Sequence, residues 1–133
     1  MNCQEIFDKA YLGLRLQGRK GTTISGGCAY NGQEESHCGV GHLVTPEIGA
    51  IWDRCGDTSI DSILQNYREA VSDGEDPIAG VEPWMLENQG LLDKIQEAHD
   101  GLGENPEDWY DPEDGFEAAF QNLATAEKLV IPA

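Results

Sequence analysis

The sequence predicts an α+β fold, with four or five helices packed around a small antiparallel β-hairpin in a single domain over 1–133. Three observations predict it. Apolar residues recur at three- and four-residue steps through most of the chain, the signature of helices with one buried face. The only β-like stretch is Cys28-Ala29-Tyr30 with Val40-Gly41-His42-Leu43-Val44, joined through the turn dipeptide Asn31-Gly32. At 133 residues and 39% hydrophobic, the chain is long enough to bury one modest core.

The elements follow in order. The N-terminal helix is predicted over 2–17: Ile6, Ala10, Leu12 or Gly13, and Leu16 recur, while Phe7, Tyr11 and Leu14 widen the apolar face. Gly18 stops it, and Arg15, Arg19 and Lys20 place cations at the negative end of its dipole. The β-hairpin is predicted over 22–44, opening on Thr22-Thr23-Ile24-Ser25. The helical remainder runs over 46–128. Thr45 caps its first helix, with Pro46 at the first helical position and Ile48, Ile51 and Trp52 on the apolar side. A second begins near Thr58, whose spacing to Asp61 suits a capping box, and buries Ile60, Ile63, Leu64, Tyr67 and Val71. A loop over 72–82 precedes a long helix over 83–99 that weakens at Gly90. Its inward residues are Met85 or Leu86, then Leu91, Leu92, Ile95 and His99. After the acidic loop 108–115, Asp111 and Pro112 are placed to cap and open a last helix, whose face is Phe116, Phe120, Leu123 and Ala124.

Charge is the loudest compositional signal. The chain has 25 acidic against 8 basic residues, a formal net charge of −17. Between Asp73 and Glu117 stand fifteen acids and a single base, Lys94, so that segment carries −14. Such a field repels nucleic acid and anionic membranes and attracts basic protein surfaces. No apolar run approaches the ~20 residues of a membrane span, and Met1-Asn2-Cys3-Gln4-Glu5 carries no signal-peptide pattern. A soluble, intracellular protein is the expectation. Its four cysteines are then expected as thiols, with a Cys28–Cys38 bridge as the alternative in an oxidising compartment.

The β-like stretch concentrates the residues of chemistry: two of the four cysteines and two of the three histidines. Cys28, Cys38, His42 and His99 supply enough soft ligands for a tetrahedral zinc, though without the close C-x2-C pair of zinc ribbons. No cofactor is expected otherwise. On a strand, Cys38, Val40 and His42 would share a face by the period of two. As a catalytic alternative, Cys38 is the nucleophile and His99 its base, since His99 falls on the inward face of its helix. Asp100, one residue on, is rotated about 100° away and needs the helix end to reach His99. The interleaved Gly39 and Gly41 lack the Lys-Ser/Thr of a phosphate loop and predict close backbone approach instead.

The acidic segment carries the main functional expectation. Glu82, Trp84, Glu104, Glu107, Asp108, Trp109, Tyr110, Asp111, Glu113 and Asp114 read as a surface for a basic protein groove, with aromatic anchors among steering carboxylates. Neither Asp73-Gly74-Glu75-Asp76 nor the acids of 108–114 match a twelve-residue calcium loop.

In C-A-Y, C-G-V-G-H-L-V-T-P-E and L-L-D-K-I-Q-E-A-H-D, the chain resembles a group of small tailed-phage proteins over Cys28 to Asp100. Its loop Gln33-Glu34-Glu35 is acidic where that group is more basic or neutral. The resemblance implies an accessory gene product acting in the cytoplasm of an infected bacterium. In that setting the charge predicts an inhibitor of a host defence complex: a DNA mimic of the anti-CRISPR or anti-restriction type, whose carboxylates stand in for phosphates on a basic host protein. The alternative is a small Cys/His-dependent enzyme, a ligand-sequestering protein or a zinc-pinned structural domain centred on Cys28, Cys38 and His99.

Overall fold

A computed structural model describes residues 1–20, 30, 37–54, 59–103 and 105–132, and among them every regular element is helical. The order is α1 (Cys3–Gln17), a 3-10 turn (Val40–Leu43), α2 (Pro46–Asp53), α3 (Ile60–Ser72), α4 (Pro83–Glu87), α5 (Gln89–Asp100), α6 (Pro106–Trp109) and α7 (Phe116–Glu127). The expected α+β class is therefore corrected, because no strand occurs among the described residues. The earlier strand pieces, 22–25 and 28–29, and the turn 31–32 lie outside them.

The misread segment has a local explanation. In Val40–Leu43 the alternation of glycine with larger residues imitates a strand, but the backbone satisfies itself within one turn. Cys38 C=O accepts the His42 N–H at 3.3 Å, and Cys38 Sγ accepts the Gly41 N–H at 3.3 Å. The glycines admit neighbours. A Cβ on Gly39 would strike the Ile95 side chain of α5, and one on Gly41 would strike the backbone of Tyr30. The expected close backbone approach holds at Gly41, whereas Gly39 makes room for a side chain; the strand is not found.

α1 begins with a capping box: Asn2 Oδ1 accepts the Glu5 N–H at 2.9 Å, and Glu5 Oε1 accepts the Asn2 N–H at 3.1 Å. It ends at Gly18, whose left-handed φ of 72° allows its N–H to reach Leu14 O at 2.9 Å. The buried arc is Ile6, Phe7, Ala10, Tyr11 and Leu14. Leu16 lies about 200° round from Leu14 at 100° per residue, and it stands 91% exposed. α2 uses the expected Thr45 cap and Pro46 start. The cap of α3 is Ser59, which accepts the Ser62 N–H at 3.1 Å; Thr58, the expected cap, lies outside the described residues. Along α3 the apolar stripe is buried to Leu64 and then opens, leaving Val71 exposed.

The long helix expected over 83–99 is two helices. They part at Asn88, whose ψ of 25° and side-chain bond to Trp84 O (2.7 Å) end α4, while Gly90 sits inside α5. α5 is the hub and packs against α1, α3, α4, α7 and the 40–43 turn. The acidic loop contains the unexpected helix α6, closed by the Asn105–Asp108 capping box. α7 starts at Phe116 after Gly115. Asp111 instead caps a tight turn: its Oδ1 accepts the Glu113 and Asp114 N–H groups at 2.8 and 2.9 Å.

One core joins these elements. Its densest part is an aromatic stack in which Trp109 lies parallel to Phe116 (4.7 Å), and Phe116 lies against Tyr11 (5.2 Å) and Phe120 (4.9 Å). This ties α6 and α7 to α1, and such pairs contribute ~0.5–1.5 kcal/mol each beyond the area they bury.

Candidate functional site

Two regions carry the polar chemistry: a half-buried joint around the 40–43 turn, and the acidic outer surface.

The joint is organised by Gln17, the last residue of α1. Its Oε1 accepts the His37 N–H at 2.7 Å, and its Nε2 donates to His37 O at 2.9 Å and to Arg19 O at 2.5 Å. The same Oε1 stands 3.0 Å from His42 Nε2. An amide oxygen only accepts, so the neutral His42 carries its proton on Nε2. By the same argument His37, whose Nδ1 is 2.7 Å from Tyr30 O, carries its proton on Nδ1. The two imidazoles meet edge to face at 5.1 Å. Beneath them, Gly13 leaves the space that the His42 ring occupies. Burial, then His37 and then His99, hold the His42 pKa down to about 4 from its ordinary 6.5.

Behind this joint, Tyr30 OH accepts from Gln96 Nε2 at 3.0 Å, and Gln96 Oε1 accepts the Ile60 N–H at 2.7 Å. Burial first, and Cys38 second, raise the Tyr30 hydroxyl well above its ordinary value, so it stays protonated. Its ring stands edge-on to Trp52 at 5.1 Å, and Trp52 Nε1 donates to Ala79 O at 2.9 Å.

The residues of the catalytic alternative are thus deep in the core. Cys38 is 1% and His99 0% exposed. Asp100 does reach His99, its Oδ1 lying 3.1 Å from His99 Nδ1 at the C-terminal end of α5. In this conformation neither the Cys38 nor the His99 side chain reaches the surface. Of the zinc alternative, Cys28 lies outside the described residues. Among the described residues no three His, Cys, Asp or Glu side chains gather closely enough to hold a metal ion. Of the basic cluster, Arg15 stands in the last turn of α1 as expected, whereas Lys20 Nζ donates to Asp100 O (3.3 Å) and Leu102 O (2.9 Å), at the end of α5.

The acidic segment divides. Glu107, Tyr110, Asp111, Glu113 and Asp114 are exposed together on α6 and the loop after it, with Tyr110 at 73%. Asp108 is half-buried as the capping residue of α6. Trp109 was expected among the outer aromatic anchors, but it turns inward at 4% exposure because its ring completes the stack on Phe116. The Asp114 and Glu113 N–H groups stabilise the Asp111 carboxylate and lower its pKa. Glu104 lies outside the described residues. Glu82 and half-buried Trp84, the latter donating to Glu82 Oε2 at 2.5 Å, belong to a different place. Asn88, just past α4, accepts from Cys3 Sγ at the start of α1, whereas Tyr110 lies beside Gly18 at its end. At 1.5 Å per residue, α1 sets the two regions about 20 Å apart.

Sequence reasoning overlooked Gln17, whose signal was an amide at the last helical position, four residues after Gly13 on the same face. It also passed over a cleft of about 350 Å³ lined by Ser59, Asp61, Asp93, Gln96, Glu97 and Asp100. There burial, then Asp61 and Glu97, raise the Asp93 pKa.

Among the described residues, no helix is long and apolar enough to cross a membrane. Comparison with known proteins gave no match, whether to a family model, a curated protein or a solved structure.

Proposed function

We propose that the protein is an acidic binding module that docks on a basic, nucleic-acid-binding protein surface through the loop after α6. One observation carries this reading: Trp109 is drawn into the core while its neighbours remain outside. Exposed Tyr110 is thereby presented among Glu107, Asp111, Glu113 and Asp114 on a short, internally capped loop. A single exposed aromatic surrounded by ordered carboxylates suits a Lys/Arg-lined groove, because the carboxylates steer encounter and the ring supplies a desolvated anchor. Salt would weaken such a contact.

The DNA-mimic role belongs to the same proposal. It adds that the target is a host defence complex and that the site of action is the cytoplasm of an infected bacterium. Its support is the charge distribution, a net −14 over 73–117, together with the resemblance to tailed-phage proteins. Replacing Glu107, Glu113 and Asp114 by Lys is expected to abolish capture of a partner from host lysate, while the helical circular dichroism stays unchanged. Retained capture by that folded variant would overturn the reading. Asp111 is left intact because it holds the turn together.

A further inference from the structure

All three histidines of the chain act on one joint. His37 and His42 meet at 5.1 Å over the end of α1, and His99 of α5 is close enough to disfavour charge on His42. The joint is built for a neutral His42 ring. Gln17 Oε1 receives one ring proton of His42, and the other nitrogen, Nδ1, faces the Gly13 backbone of α1. A second proton on His42 would therefore point at a helix surface from which a Cβ has been removed to make room. His37 is fixed in the same way, with Nδ1 donating to Tyr30 O.

We propose that this joint is an acid-operated latch: the neutral His42 imidazole holds the 40–43 turn on α1, and its protonation releases it. Among the described residues, the surrounding groups come from each packed element, and α2 supplies Asp53, whose Oδ1 accepts the Tyr30 N–H at 2.9 Å. From α1 come Gln17, which is neutral, and Arg15, which lies over the Tyr11 ring. From α5 come His99 and its partner Asp100, whose backbone carbonyl also receives Lys20 Nζ. From the turn itself come His37 and the Cys38 thiol, which accepts from Gly41. Tyr30, behind them, is held protonated. The charges that bear on His42 are those of His37 and His99, and both oppose its protonation.

The direction of the effect follows from linkage. Burial and the neighbouring imidazoles depress the folded-state pKa of His42 to about 4, against 6.5 in the open chain. The unfolded or unlatched form therefore takes up the proton first. Stability contributed by the neutral ring is complete above about pH 6.5 and falls as pH drops toward about 4. Allowing for partial exposure, the equilibrium constant between latched and unlatched forms is expected to fall roughly tenfold by pH 5 through this group alone.

The test uses the full chain. Proton NMR of the imidazole C2–H signals, assigned with single His→Gln variants, is expected to show the His42 midpoint near the value above, and His37→Asn is expected to raise it. Urea midpoints of wild type and His42→Gln between pH 7 and pH 4 are expected to diverge. The wild type should lose about one proton's worth of slope that the variant lacks, which separates the ring from the carboxylates. A His42 midpoint at or above 6, no response to His37→Asn, or parallel pH profiles would overturn the proposal. Should His42→Gln fail to fold, the two NMR midpoints decide it.

Discussion

The half-buried joint and the loop after α6 are both rich in polar side chains, yet they use them in opposite ways. In the joint nearly every polar atom has a protein partner. Gln17 engages His37, His42 and Arg19, Gln96 bridges Tyr30 to Ile60, and no buried side-chain nitrogen or oxygen among the described residues lacks a hydrogen bond. On the loop, only Asp108 and Asp111 are spent on structure, as caps, while Glu107, Glu113 and Asp114 remain exposed. Satisfied buried polar groups specify one arrangement of a core. Carboxylates without structural duty raise a field that costs little to redirect toward a partner. The difference gives the histidines an architectural place and leaves the exposed acids to the proposed docking role.

The sharpest way to break that comparison is at Trp109 and Tyr110, neighbours with opposite fates. Trp109→Ala removes the ring stacked on Phe116 and is expected to cost about 4 kcal/mol, read from urea unfolding. Tyr110→Ala is expected to change stability by less than about 0.5 kcal/mol while weakening partner capture. Next in size is Gly41→Ala. Its Cβ would meet the Tyr30 backbone, which has no rotamer to yield, so a loss of about 3 kcal/mol is expected from the same measurement. Gly39→Ala meets chiefly the Ile95 side chain, with Leu14 behind it, and is expected to cost about half as much.

How much of this was legible in the sequence depended on what each residue had to meet. α1, α2 and the buried face of α7 were readable, because their caps and periodic apolar positions are local signals. The joint was not. Val40-Gly41-His42-Leu43-Val44 has strand composition, and only the notches that Gly39 and Gly41 open toward Ile95 and Tyr30 make it a turn. Those partners are distant in the chain. The inward turn of Trp109 was equally hidden, since nothing in Asp-Trp-Tyr-Asp says which ring will find Phe116. The break between α4 and α5 at Asn88 rather than Gly90 depended on an amide bonding back to Trp84 O.

The smallest expected effect lies in the acidic cleft. Because burial and the neighbouring carboxylates of Asp61 and Glu97 raise the Asp93 pKa, the folded state binds its proton more tightly than the open chain does. At neutral pH the ionised group therefore opposes folding, and the opposition fades as pH falls through the raised value. Asp93→Asn is expected to stabilise the protein by a few tenths of a kcal/mol at pH 7, discounted for solvent screening, and to lose that advantage in acid. Thermal midpoints at pH 7 and pH 4 check both signs.

The division between recognition and architecture is tested most directly by one capture experiment from host lysate at low and high salt. It compares wild type, the Glu107→Lys/Glu113→Lys/Asp114→Lys variant and Cys38→Ser. The account predicts that wild type and folded Cys38→Ser capture the same partner and release it at high salt, whereas the charge-reversed variant captures none. Salt-resistant capture that survives charge reversal, or its loss in a folded Cys38→Ser protein, would contradict it.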